Sequence, residues 1–153
     1  MTGSSGARRV HCRRGPRSRH STRNVLVVDA SVLAPVVADA GPDGQRFRDR
    51  LRGETLVGPD LLRVEVASVL RWHAGNGSLT PLQADAAIDD LLAFPITVYP
   101  TAPLLRRVWE LRPNVTAYDG CYVALAEALG VPLVTADRRL ANAPGFRCAV
   151  EVA

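Results

Sequence analysis

The sequence predicts an α/β fold in which parallel strands are sandwiched between helices. Three observations lead there. Val25–Val28 and Leu133-Val134-Thr135 are short, nearly continuous apolar runs, which mark strands buried on both faces. Longer segments with helical apolar spacing separate such runs, so strands and helices alternate along the chain. At 153 residues the chain is long enough for one core and too short for two ordinary domains.

The elements follow in order. Val25–Val28 forms the first strand, and a short helix runs from Asp29-Ala30-Ser31 through Ala38. Residues 43–52 read as a charged surface helix and Thr55–Val57 as a brief strand. Pro59-Asp60 is expected to open a longer helix to His73, stopped by Gly75-Asn76-Gly77. Thr80-Pro81 starts the next helix, which runs to Ala93. Ile96–Tyr99 is read as a strand, Ala102–Leu111 as a helix, and Thr116–Gly130 as an apolar helix. Leu133–Thr135 is a buried strand, a short helix follows Asp137, and Cys148–Val150 is read as the last strand.

Charge divides the chain unevenly. Seven of its 19 basic residues precede Asp29, the first acid, leaving 12 arginines against 15 acids and a formal −3 for the remainder. Residues 1–23 are therefore expected to be a basic, disordered leader, with a nucleic-acid-binding arm as the functional alternative, and residues 24–153 the folded domain. The chain contains no lysine, which excludes Schiff-base chemistry and a P-loop. His11, His20 and His73 are read as surface residues, the first two in the leader and the third at a helix end beside a Gly-rich turn. Three cysteines in dissimilar contexts make a disulfide framework improbable and fit a reducing cytoplasm. No run approaches the roughly 18–20 apolar residues of a membrane helix.

Four acids stand out. Asp29 directly follows the first strand and Asp137 lies two residues past another, at the sheet edge where open α/β folds place their sites. Glu65 falls inside the apolar stripe of Leu62, Val66, Val69 and Leu70, with no local cation to compensate it. Asp119 is the only charge in the first turns of the apolar run Ala117–Ala126. Taken singly, capping explains three of them: Asp29 or Ser31 for the first helix, Thr116 with Asp119 for the apolar helix, and Asp137 for the helix at Arg138. Capping does not explain why two strand ends and two core-facing helices all carry acids that can meet in one pocket.

Val27-Val28-Asp29-Ala30-Ser31, Arg63-Val64-Glu65-Val66, Thr116-Ala117-Tyr118-Asp119 with Val123-Ala124-Leu125-Ala126, and Leu133-Val134-Thr135-Ala136-Asp137-Arg138-Arg139-Leu140 resemble, in order and spacing, the motifs of VapC-type PIN-domain ribonucleases. The resemblance covers about Val25 to Val150. It implies a PIN-like α/β/α sandwich and the toxin of a type II toxin–antitoxin pair. Asp29, Glu65, Asp119 and Asp137 would bind Mg²⁺ or Mn²⁺, with Ser31 and Thr135 orienting carboxylates or a bound water. The expected reaction is hydrolysis of RNA, transfer RNA or ribosomal RNA in the family, leaving a 5′-phosphate and a 3′-hydroxyl. Expected partners are a second copy of the chain and a VapB-like antitoxin; no membrane is implied.

Arg46, Arg48, Arg50, Arg52, Arg138 and Arg139 are candidate phosphate contacts, against a reading of the first four as a solvated helix face. Trp72, Leu79, Leu82 and Trp109 are read first as core and second as interface residues. Three rivals remain: a catalytically silent PIN-like module binding RNA or protein, a phosphohydrolase with Asp29 as nucleophile, and a DNA nuclease. The second wants an acid where Ser31 stands and a lysine the chain lacks; the third usually needs extra helices to hold a duplex.

Overall fold

At the centre of the sheet lies β1, Val25–Val28, whose last three residues are buried. In the computed structural model, which describes residues 24–153, it pairs in parallel with β2 (Thr55–Pro59) on one side and β4 (Leu133–Thr135) on the other. The expected leader, residues 1–23, lies outside the described residues. β3 (Ile96–Tyr99) extends the sheet beyond β2 and β5 (Val150–Val152) beyond β4, giving the all-parallel order β3-β2-β1-β4-β5. The chain leaves β1 toward β2 and later returns to β1's other side as β4. The strand order therefore reverses between β1 and β4, and the crevice outside their carboxyl ends is where such folds bind ligands.

Among the described residues seven helices flank the sheet: α1 (Ala30–Ala38), α2 (Pro42–Leu51), α3 (Leu62–Gly75), α4 (Pro81–Ala93), α5 (Leu105–Leu111), α6 (Ala117–Leu129) and α7 (Arg138–Ala141). α1 packs against α2, α3 and α4, whereas α6 lies on β1, β2 and β4. Val27, Val28, Leu33, Leu62, Val66, Val123, Leu133 and Val134 are all fully buried between these elements. Gly44 lets α2 reach the end of α1, because a Cβ there would stand 2.0 Å from the Asp39 carbonyl oxygen. Gly130 closes α6 at φ 65°, a left-handed conformation that favours glycine. Among the described residues no helix is long and apolar enough to cross a membrane, and Cys121 and Cys148 are free thiols.

Several expectations need correction. Pro59 ends β2 rather than opening α3, because it pairs with Tyr99 and the Asp60 N–H donates to the Tyr99 carbonyl, holding the chain extended. The segment Ala102–Leu104 is a 3₁₀ turn ahead of α5. The last strand begins at Val150, not Cys148, since β4 fixes its register through Leu133–Val150 and Thr135–Val152. Trp72, Leu82 and Trp109 are exposed by 62%, 80% and 63%, so they are not core; Leu79 alone packs against it. In α2, Arg48 donates to the carbonyls of Val36 and Asp39, and Arg50 pairs with Glu151, so both are occupied within the fold.

Candidate active site

Asp29 leaves β1 in extended conformation and caps α1, as a short polar acceptor at this position should. Its Oδ1 accepts the Ser31 N–H at 2.9 Å and the Ser31 hydroxyl at 2.5 Å. The same hydroxyl accepts the Ala136 N–H at 2.8 Å and lies 3.4 Å from Thr135 Oγ1. Thr135, fully buried, accepts the Asp137 N–H at 2.9 Å. The ends of β1 and β4 are thus joined by a short chain of hydroxyls. Burial pushes the Asp29 carboxyl above its ordinary range, and the Ser31 and Thr135 hydrogen bonds offset part of that rise.

Glu65 sits on α3, half-buried, and makes no ion pair among the described residues. Its Oε2 accepts a hydrogen bond from the Tyr122 hydroxyl on α6. Burial raises its pKa, the Tyr122 hydrogen bond offsets part of that rise, and the charges of Asp119 and Asp29 add to it. The fields of those two carboxylates, one at the end of β1 and one on α6, therefore both act on Glu65.

Asp119 occupies the first turn of α6. Thr116 caps that helix, accepting the Asp119 N–H at 3.1 Å and donating to Asp119 Oδ2 at 2.8 Å. Asp137 caps α7 through the Arg139 N–H at 2.7 Å and pairs with the Arg139 guanidinium at 3.2 Å. That guanidinium holds the Asp137 carboxyl below its ordinary range. Asp119 and Asp137 line the same open cavity of about 440 Å³, together with Arg112, Thr116 and Arg139. The capping roles are therefore real, and two of the capped carboxylates, Asp119 and Asp137, line one cavity.

Among the described residues no three carboxylates, histidines or cysteines are drawn tightly enough together to hold one ion between them. Each acid is instead engaged by its own donor. The donor set nevertheless suits a hard divalent cation, because it is all oxygen and Asp29 and Glu65 carry no basic partner. The sequence reading overlooked Tyr122, which looked like one more core residue in an apolar run. The available signal was its hydroxyl, which needs a partner when buried. It also overlooked Arg112, whose guanidinium stacks 4.8 Å from the Trp109 ring at the cavity edge.

The profile of the PIN-domain family matches residues 26–145. The chain belongs to the PIN-domain family. Within it, this PIN domain is similar to Ribonuclease VapC1 of Mycobacterium tuberculosis, with 41% identity over 127 residues that span 82% of this chain and 96% of the relative. Ribonuclease VapC12 of the same organism is 35% identical over 128 residues, 84% of this chain and 98% of the relative. Among solved structures, PAE2754 from Pyrobaculum aerophilum superposes with a TM-score of 0.62 at 26% identity, covering 84% of each chain. VapBC2 from Rickettsia felis, bound to a DNA fragment from its promoter, superposes with a TM-score of 0.61 over 84% of this chain and 98% of that one. At 14% identity that likeness concerns the PIN fold alone.

Proposed function

We propose that this PIN domain is the toxin of a type II toxin–antitoxin pair, an endoribonuclease that requires Mg²⁺ or Mn²⁺ and acts in the cytoplasm. The observation that supports this reading is that Asp29, at a strand end, and Asp119, on α6, both raise the cost of ionising Glu65 on α3. A fold gains nothing in stability from such an arrangement, since partly buried like charges repel. Identity of 41% to a relative named Ribonuclease VapC1 supports RNA as the substrate.

Asp29, Glu65 and Asp119 would hold the cation, with Asp137 as a fourth ligand or part of a second, substrate-assisted site. When bound, such an ion supplies a water of lowered pKa and polarises the scissile phosphate. Ser31 orients Asp29 at the end of β1, and Ser31 and Thr135 oppose part of the effect of burial on its carboxyl. Arg139, 93% exposed beside Asp137, and Arg112 across the same cavity place positive charge where an RNA backbone approaches an acidic centre. Hydrolysis would leave a 5′-phosphate and a 3′-hydroxyl on single-stranded or loop RNA, whose backbone can be splayed into an open cleft.

The proposed partners are a second copy of the chain and a VapB-like antitoxin, as the names of the related toxins and of the VapBC structure suggest. A groove of about 750 Å³ runs from Ser31 and Ala136 past Ala34, Phe47, Val69 and Leu79, and is of a size to accept an antitoxin segment. The test is incubation of purified, antitoxin-free protein with total RNA and Mg²⁺ or Mn²⁺. Discrete fragments that disappear with EDTA support the proposal. Intact RNA with folded protein and either metal favours a silent RNA- or protein-binding module.

A further inference from the structure

The geometry points to Tyr122 as the positioning residue for Glu65, the tether that sets one carboxylate of the centre from a different helix; this rests on the metal-site reading above. Three of the four acids are fixed from nearby in sequence. Ser31 holds Asp29, Thr116 holds Asp119 and Arg139 holds Asp137, each from two or three residues away. Glu65 has no such neighbour. Its neighbours one helical turn away, Leu61 at the N-cap and Leu62 and Val69 on α3, are apolar, and the Ser68 hydroxyl is turned to the Val64 carbonyl. Its hydrogen bond comes from Tyr122, 57 residues away, and that bond joins α3 to α6.

Tyr122 is a core ring that also carries a hydroxyl. It is 2% exposed inside the buried run Gly120–Ala126. Its hydroxyl is aimed at a carboxylate, which satisfies a donor that would be costly to bury alone. It follows Asp119 by three residues on α6, so one helix carries one acid and orients a second. The bond reaches Oε2, and Oε1 accepts no hydrogen bond among the described residues. Partners that orient a ligand in this way typically change metal affinity by about 10–100-fold when removed.

The experiment measures Mn²⁺ binding, by the electron paramagnetic resonance of the free ion, for wild type, Asp29→Ala, Tyr122→Phe and Val123→Ala, with thermal unfolding of each. Val123 is fully buried on α6 and touches no acid by hydrogen bond, so it reports loss of packing alone. The expected result is binding by wild type, loss in Asp29→Ala, affinity weakened about 10-fold or more in Tyr122→Phe, and wild-type affinity in Val123→Ala despite its lower stability. Tyr122→Phe should also need more Mn²⁺ for half-maximal RNA cleavage, by the same factor. Should the Phe variant not fold, fluorine NMR of fluorotyrosine-labelled wild type reads the same contact, since the Tyr122 resonance should move on addition of Mg²⁺. Tyr122→Phe binding within twofold of wild type, while Asp29→Ala does not bind, overturns the role of Tyr122 and leaves the metal site standing. So does a Tyr122 resonance that Mg²⁺ leaves in place. A wild type that binds no Mn²⁺ overturns both readings.

Discussion

Ser31 reaches Asp29 twice, with its N–H at 2.9 Å and its hydroxyl at 2.5 Å, both on Oδ1. The hydroxyl is also the acceptor for the Ala136 N–H, so one oxygen couples the loop after β1 to the loop after β4. This arrangement opposes the effect of burial, which by itself would favour a protonated Asp29. Ser31→Ala should therefore let the Asp29 carboxyl protonate more readily and move the acid limb of the pH–rate profile to higher pH. Cleavage at neutral pH should fall about 10-fold, and the orphaned Ala136 N–H should cost about 1–2 kcal/mol of stability. Ser31→Thr, which keeps the hydroxyl, should restore both; a pH–rate series on the three proteins checks this.

Glu65 should prove costly to the fold and necessary to the reaction. Its raised pKa means that the folded state holds its proton more tightly than the unfolded chain does. Stability on this account falls as pH rises from the ordinary glutamate range through the raised folded value, and the loss persists at neutral pH. Glu65→Gln removes the charge and keeps an acceptor for Tyr122. It should unfold at the same or a higher temperature than wild type at pH 7 without metal, and lose about 100-fold or more in cleavage. A drop in unfolding temperature would assign Glu65 a structural role instead.

Arg107 and Glu127 act in the opposite sense. Arg107 on α5 binds both Glu127 oxygens, at 2.7 and 3.0 Å, and the Gly145 carbonyl at 2.8 Å, while Glu127 also accepts the Arg147 N–H. Together they hold α5, α6 and the segment ahead of β5. Burial alone would raise the Glu127 pKa, but these bonds bring it below the ordinary value. The stability they supply is present above the unfolded glutamate pKa, about 4.3, and is lost as pH falls through the lower folded value. Glu127→Gln should cost about 2 kcal/mol at pH 7 and progressively less on acidification, with the cleavage rate of the folded fraction unchanged. Urea unfolding of both proteins between neutral and acid pH measures the difference.

The parts of this protein that could be read in its sequence are those governed by local chemistry. β1 and β4 show as apolar runs, Thr80 and Thr116 as helix caps, Gly130 as a helix stop, and Glu65 as a charge in the wrong stripe. What stayed hidden depends on a distant partner. The register of β5 is dictated by β4, and the extension of β2 to Pro59 by β3. The exposure of Trp72 and Trp109 could not be read from their apolar character, because the same residues serve equally in a core. Tyr122 was legible as a buried donor in need of a partner, but not the partner itself, since nothing within its own helix reveals a carboxylate 57 positions earlier. The site was easiest to find where an acid conflicts with its surroundings, and hardest where a residue fits them.

The central claim is that acids from separate elements act as a single centre, and the most direct test is RNA cleavage by Asp29→Asn, Asp119→Asn and the double variant at saturating Mn²⁺. Groups that serve one centre are strongly non-additive. Each single substitution should lose about 100-fold or more, and the double variant should lose no more than the worse single one. Losses that multiply in the double variant, or full activity in either single variant, would contradict the account.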